Sequence, residues 1–132
     1  VMGSYQVAKL SGEPVIVSRF GADYDLVADF PESIAQVSRT FQEQTEPFYY
    51  ILNISEMKMN FSQVIMRLAD LTDPKSGPYR HPLLKEIILV TEAELGLLLV
   101  DAMHQEQYGS LQGRLFSSEE EAIEYVYSQI SV

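Results

Sequence analysis

Arg80 and His81 stand side by side in a stretch that also holds Lys75 and, just past it, Lys85, the one locally basic segment of the chain. A guanidinium beside an imidazole suits a carboxylate or phosphate, and the phenol of Tyr79 would add a donor. The plainer reading is a solvated loop shaped by Pro74, Pro78 and Pro82. Ligands of open α/β sheets favour the carboxyl ends of strands, and this loop enters the next strand at its amino end. His104, the second imidazole, follows the apolar positions that end at Met103 and is expected to be half-buried. Neither histidine has a partner at metal-ligand spacing, and with no cysteine there are no thiolate ligands, thiol nucleophiles or disulfides. The expectation is no metal and no cofactor.

Serine chemistry is no better supported. The string nearest to a nucleophile elbow, Tyr108-Gly109-Ser110-Leu111-Gln112-Gly113, lacks the required spacing. No phosphate-binding G-x-x-x-x-G-K and no H-E-x-x-H occurs, and Asp23, Asp25 and Asp29 lack the glycine pivot and distal glutamate of a calcium loop. No catalytic residue is assigned, and the chain is expected to bind rather than catalyse; the remote alternative, an enzyme of unknown type, would have to depend on His81 or His104. Ser62 has a different interest. If Asn60 caps a helix, with Gln63 three positions on, Ser62 lies at the second helical position, where free N–H groups and the dipole favour an anion. A phosphate there would add about −1.5 to −2 charges. More commonly, a serine so placed satisfies those donors itself. Residues from Ile54 to Ser62, with Met57, Met59, Asn60 and Phe61 among them, and the loop after Val90 are expected to line the carboxyl end of the sheet and to offer a surface to a partner or small ligand. Met57, Met59, Phe61 and Met66 would also supply an adaptable lining for a small apolar or lipid-like ligand.

The elements that must position these residues follow from periodicity. Tyr5 to Leu10 and Val15 to Phe20, separated by Ser11-Gly12-Glu13-Pro14, read as a hairpin. Gly21 to Asp29 reads as an acidic loop, with a short strand possible over Tyr24 to Val27. Pro31 opens a helix that buries Ile34, Val37 and Phe41. Phe48 to Ile54 is a continuous apolar run, the mark of a strand covered on both faces. The next helix buries Phe61, Val64, Ile65 and Leu68, and a loop from Asp73 to Pro82 leads to a second buried strand over Glu86 to Thr91. Thr91 and Glu94 cap a third helix with Leu95, Leu98, Leu99, Ala102 and Met103 inward, stopped by a left-handed Gly109. Arg114 to Phe116 is the last strand. Ser118 and Glu121 cap a final helix with Ala122, Ile123, Val126 and Ile130 inward. Tyr125 and Tyr127 cannot both face inward, so one dresses the surface. The expectation is an α/β fold, β-β-α-β-α-β-α-β-α, with a mainly parallel sheet flanked by helices, in one domain over residues 5–130.

That order, closed by Phe116-Ser117-Ser118-Glu119-Glu120-Glu121-Ala122-Ile123-Glu124-Tyr125-Val126, resembles the STAS-like, or SpoIIAA-like, family, best known for anti-sigma-factor antagonists. The resemblance implies a non-enzymatic regulatory module that acts through a protein partner. Antagonists carry Asp-Ser-Ser-Gly at the start of the second helix and are phosphorylated on the second serine. By position Asn60-Phe61-Ser62-Gln63 occupies that stretch, and Ser62 alone matches it.

The 19 acidic residues against 9 basic ones give a formal net charge of −10. Such a surface repels phosphate backbones and anionic lipid, so no nucleic-acid partner is expected, and an unknown protein or small ligand is. A homodimer is compatible with the same surface. The apolar runs Ile87 to Val90 and Leu97 to Val100 are far shorter than the ~18 residues of a membrane span. No basic n-region with an apolar h-region is visible, which makes the cytoplasm the expected address.

Overall fold

The computed structural model describes residues 4–58 and 61–130. Strands β1 (Tyr5–Lys9) and β2 (Val15–Phe20) form an antiparallel hairpin, Tyr5 opposite Phe20 and Lys9 opposite Ile16. Helix α1 (Phe30–Gln42) leads to β3 (Phe48–Asn53), α2 (Phe61–Leu71) to β4 (Leu84–Val90), and α3 (Ala93–Met103) to β5 (Gly113–Phe116), with α4 (Glu119–Ile130) last. The β2–β3, β3–β4 and β4–β5 pairs are parallel, and the strand order β1-β2-β3-β4-β5 follows the chain. The described residues are therefore α/β, with a five-stranded, mostly parallel sheet and four α-helices.

Alternation along the strands sorts side chains into two layers, because successive Cβ atoms point to opposite faces. Ile16, Phe48, Tyr50 and Ile87 face one way, against Val37 and Phe41 of α1, Leu68 of α2, and Ala102 and Met103 of α3. Val15, Val17, Tyr49, Ile51, Ile88 and Val90 face the other way, where Ala122 and Val126 of α4 cover them. Ile51 and Leu89 are fully buried at the centre, as their apolar runs require. Phe41 anchors α1 through edge-on contacts with Phe48 at 4.9 Å and Tyr50 at 5.0 Å. Such pairs add roughly 0.5–1.5 kcal/mol beyond their burial.

Several local expectations change. No strand forms over Tyr24 to Val27; the segment turns, and Tyr24 is buried with its hydroxyl 2.7 Å from Ser33 Oγ. Phe61 is exposed, because it opens α2 beyond the packed layer. Leu98 is 48 % exposed rather than inward, since a helix apolar on nearly all sides leaves its buried face unmarked. Helix α3 begins after an extended Glu92 with no side-chain cap, and Thr91 is buried instead of capping it. Gly109 does adopt φ +94, but it closes a 3-10 turn, Glu106–Tyr108, after α3 has ended. His104 is exposed, its Nε2 3.4 Å from the Gly113 N–H. Ser118 caps α4 as expected, accepting the Glu121 N–H at 3.2 Å while Glu121 Oε1 accepts from both Ser117 and Ser118.

Candidate functional site

Three places could hold chemistry. The first is the carboxyl end of the sheet. Arg19 at the end of β2 grips Glu119 of α4 with two prongs, Nε to Oε1 at 2.8 Å and Nη2 to Oε2 at 2.7 Å. Asn53 at the end of β3 donates to the same Oε1 at 3.1 Å, and its own Oδ1 accepts the Ser55 N–H and hydroxyl. The Arg19 bonds hold the Glu119 carboxyl below its ordinary value against the opposing effect of burial. Every charge in this cluster is answered by its neighbour, so it tethers α4 to the sheet edge. From this end the chain runs to α2, where Ser62 lies exposed in the first turn. Met59 and Asn60, the expected cap included, lie outside the described residues.

The second place is an apolar cavity of about 70 Å³ between the sheet and helices α1, α2 and α3. Phe20, Leu52 and Leu89 line it from the strands, Phe30 and Ile34 from α1, Val64 and Leu68 from α2, and Leu99 from α3. Met57 lines it too, as its type suggested, whereas Phe61 and Met66 do not; Met66 is 68 % exposed. Tyr50 and Tyr79 reach the same space. Tyr50 donates to Ser18 Oγ at 2.8 Å, and burial pushes its phenol up to about 12. Helix α2 has Leu68 as its one fully buried residue and leans on α3 and on the 3-10 turn Pro78–Arg80. Arg67 closes the rim: its Nε donates to the Leu26 carbonyl at 2.8 Å and its guanidinium lies 4.5 Å over the Phe30 ring.

The third place holds Arg80 and His81. They line a separate polar pocket of about 210 Å³ with Ser38 and Gln42 of α1 and Lys75 and Ser76 of the loop. Tyr79 is not part of it. That ring turns inward, is 4 % exposed, and packs against Tyr50 with centroids 5.6 Å apart. Lys85 is also elsewhere, its ammonium 5.8 Å above the Tyr49 ring. The signal that could have found Tyr79 is the Gly77-Pro78 pair, which tightens the loop into a turn. Ser38 and Gln42 gave none, being ordinary helix residues far away in sequence.

Among the described residues no three His, Asp or Glu side chains gather as a metal site, and no helix is long and apolar enough to cross a membrane. No family model matches the chain, and no curated protein matches it.

Proposed function

We propose that the chain is a cytoplasmic, non-enzymatic binding module of STAS-like kind that works by contact with a protein partner. Leu97 and Leu98, 59 % and 48 % exposed in the middle of α3, carry this reading. Phe61 and Met66 are exposed on the adjoining α2. Single exposed apolar residues are ordinary. Leu97 and Leu98, adjacent on one helix, with exposed apolar residues also on the helix it touches, are what a partner would cover. The closing segment of α4 and the order of elements support the kinship. Ser62 stands beside Phe61 at the position phosphorylated in the antagonists, so phosphate there would place charge next to an apolar contact and weaken it.

Affinity capture tests this with four immobilised forms: wild type, Leu98→Asp, Ser62→Glu, and Glu124→Gln on α4 as the distal control. The expected result is a partner held by wild type and Glu124→Gln, lost with Leu98→Asp and weakened with Ser62→Glu. Identical protein sets on all four would reject the surface and the switch together.

The cavity favours a second reading, a small apolar ligand. Its volume of about 70 Å³ is well below the ~150 Å³ that admits benzene in an engineered core, so a lipid-like guest requires α2 to lift. The sparse anchoring of α2 makes that the element to move. Native mass spectrometry of gently purified protein is the check; a clean apo mass with no thermal shift on adding fatty acid counts against this reading.

A further inference from the structure

We propose that the pocket between the second half of α1 and residues 74–81 binds a small phosphoryl oxyanion, as inorganic phosphate or as the phosphate of a small monoester. Its polar lining consists of Ser38, Gln42, Lys75, Ser76, Arg80 and His81. Each can offer an N–H or O–H donor, Lys75 and Arg80 carry fixed positive charge, and no carboxylate lines the space. In a chain with 19 acidic residues against 9 basic ones, a pocket lined without a single acid runs against the composition of the molecule. Composition alone would have put acids there.

Arg80 and His81 are held in place before any ligand arrives. His81 Nδ1 accepts the Leu83 N–H at 3.1 Å, which leaves the ring hydrogen on Nε2. The imidazole stands edge-on to Phe48 at 5.4 Å and to Phe41 at 6.3 Å. Arg80 Nε donates to the Thr72 carbonyl at 2.6 Å, so its orientation is set by backbone. Its guanidinium lies against Gly109, where a Cβ would come within 2.9 Å of the central carbon. Side chains already fixed lose little freedom when a ligand binds.

The carboxylate nearest these donors is Asp73, whose charge faces the Ser76 hydroxyl and Arg80, so a bound phosphate would compete with it for both. Asp73 Oδ1 accepts the N–H groups of Lys75 and Ser76 at 2.8 and 3.2 Å, which shapes the loop. At the carbonyl end of α1, Arg39 O and Phe41 O accept from Glu43 and Gln44, and Thr40 O accepts from the Gln44 amide. The polar lining residues come from α1, from the loop and from the turn, so an anion held on more than one side, as a tetrahedral one can be, suits the space. At about 210 Å³ the pocket is below the ~300 Å³ where sites for drug-sized ligands begin, so one phosphoryl group with a small substituent fits and a nucleotide does not.

The test is a titration of the whole chain at constant ionic strength, followed by amide NMR. One arm uses inorganic phosphate, one methyl phosphate, one acetate and one chloride. Saturable shifts at residues 38–42 and 75–83 with either phosphate, and weaker binding of acetate, are expected. The tighter of the two phosphate arms identifies the source. Lys75→Gln, an exposed change, and Arg80→Gln should each weaken phosphate about tenfold, the worth of a charge-assisted hydrogen bond. Unchanged amide spectra away from the loop show that each variant is folded. Shifts that do not saturate, that chloride reproduces, or that persist undiminished in Lys75→Gln would overturn the proposal.

Discussion

Arg19 and Glu119 come from the second strand and the last helix, and the pair is the long-range charge contact that joins them. Both side chains retain some solvent, with Arg19 37 % and Glu119 22 % exposed, so screening keeps the contribution small. Glu119→Gln should cost about 1 kcal/mol or less at neutral pH, read from urea unfolding midpoints. The carboxyl is held below its ordinary value of 4.5. Its contribution is therefore present above that value and disappears as pH falls through the lower, folded one. Wild type and Glu119→Gln should accordingly converge in stability in acid; a gap that stays constant with pH would contradict the ion pair. At this scale the sequence was least informative. Glu119 stood out only as part of the closing segment from Phe116 to Val126, and nothing local tied it to Arg19 or Asn53. His81 was legible as a candidate, but the groups that fix its ring, Leu83 N–H, Phe41 and Phe48, come from tertiary packing.

Among the elements, α2 is the weakly held one. Leu68 is its buried anchor, and beside it lies the apolar cavity. Leu68→Ala should cost about 2–5 kcal/mol, and toward the upper end because the new space joins space already empty. Urea unfolding gives the number, and hydrogen exchange across 61–71 should quicken more than across β3. Exchange that quickens equally in both would mean that α2 does not open separately from the sheet. The strands β3 and β4 were readable because a strand covered on both faces must be apolar at every position, and Tyr49 to Ile51 and Ile87 to Val90 are. Helix α3 was readable as a helix but not in its orientation. Leu95 and Leu97 to Val100 offer apolar groups on every side, so the periodicity could not tell that Leu99 is buried while Leu97 and Leu98 meet water.

For the molecule as a whole, the buried phenols set the alkaline limit. Tyr50 is pushed up to about 12 by burial, and Tyr79 is driven well above its ordinary value by the same cause. A folded-state value above the unfolded 10.0 means that the unfolded chain releases its proton first. The stabilisation is thus complete below 10 and is lost as pH rises toward the folded values. Urea midpoints should be level near about pH 8 and fall steeply by about pH 11, and Tyr79→Phe should flatten the fall. A midpoint that does not move over that range would mean that these rings ionise as freely folded as unfolded. The α/β class itself was legible, since extended and helical segments that alternate along a chain pack as a sheet flanked by helices. The surface was not, because exposure depends on which neighbours happen to lie across from each side chain.

The layer facing α4 has a consequence for how the protein is made. Val15, Val17, Ile51 and Ile88 wait on the 12 residues of α4 to shield them. Synthesis runs from the amino end at roughly 5–20 residues per second, so the ribosome makes this shield only after the strands it covers. Until then the growing polypeptide shows an uncovered apolar side to the cell, an invitation to chaperones. A chain halted after Phe116 should sediment as aggregate, while adding the missing helix as a separate peptide during refolding should return it to the supernatant.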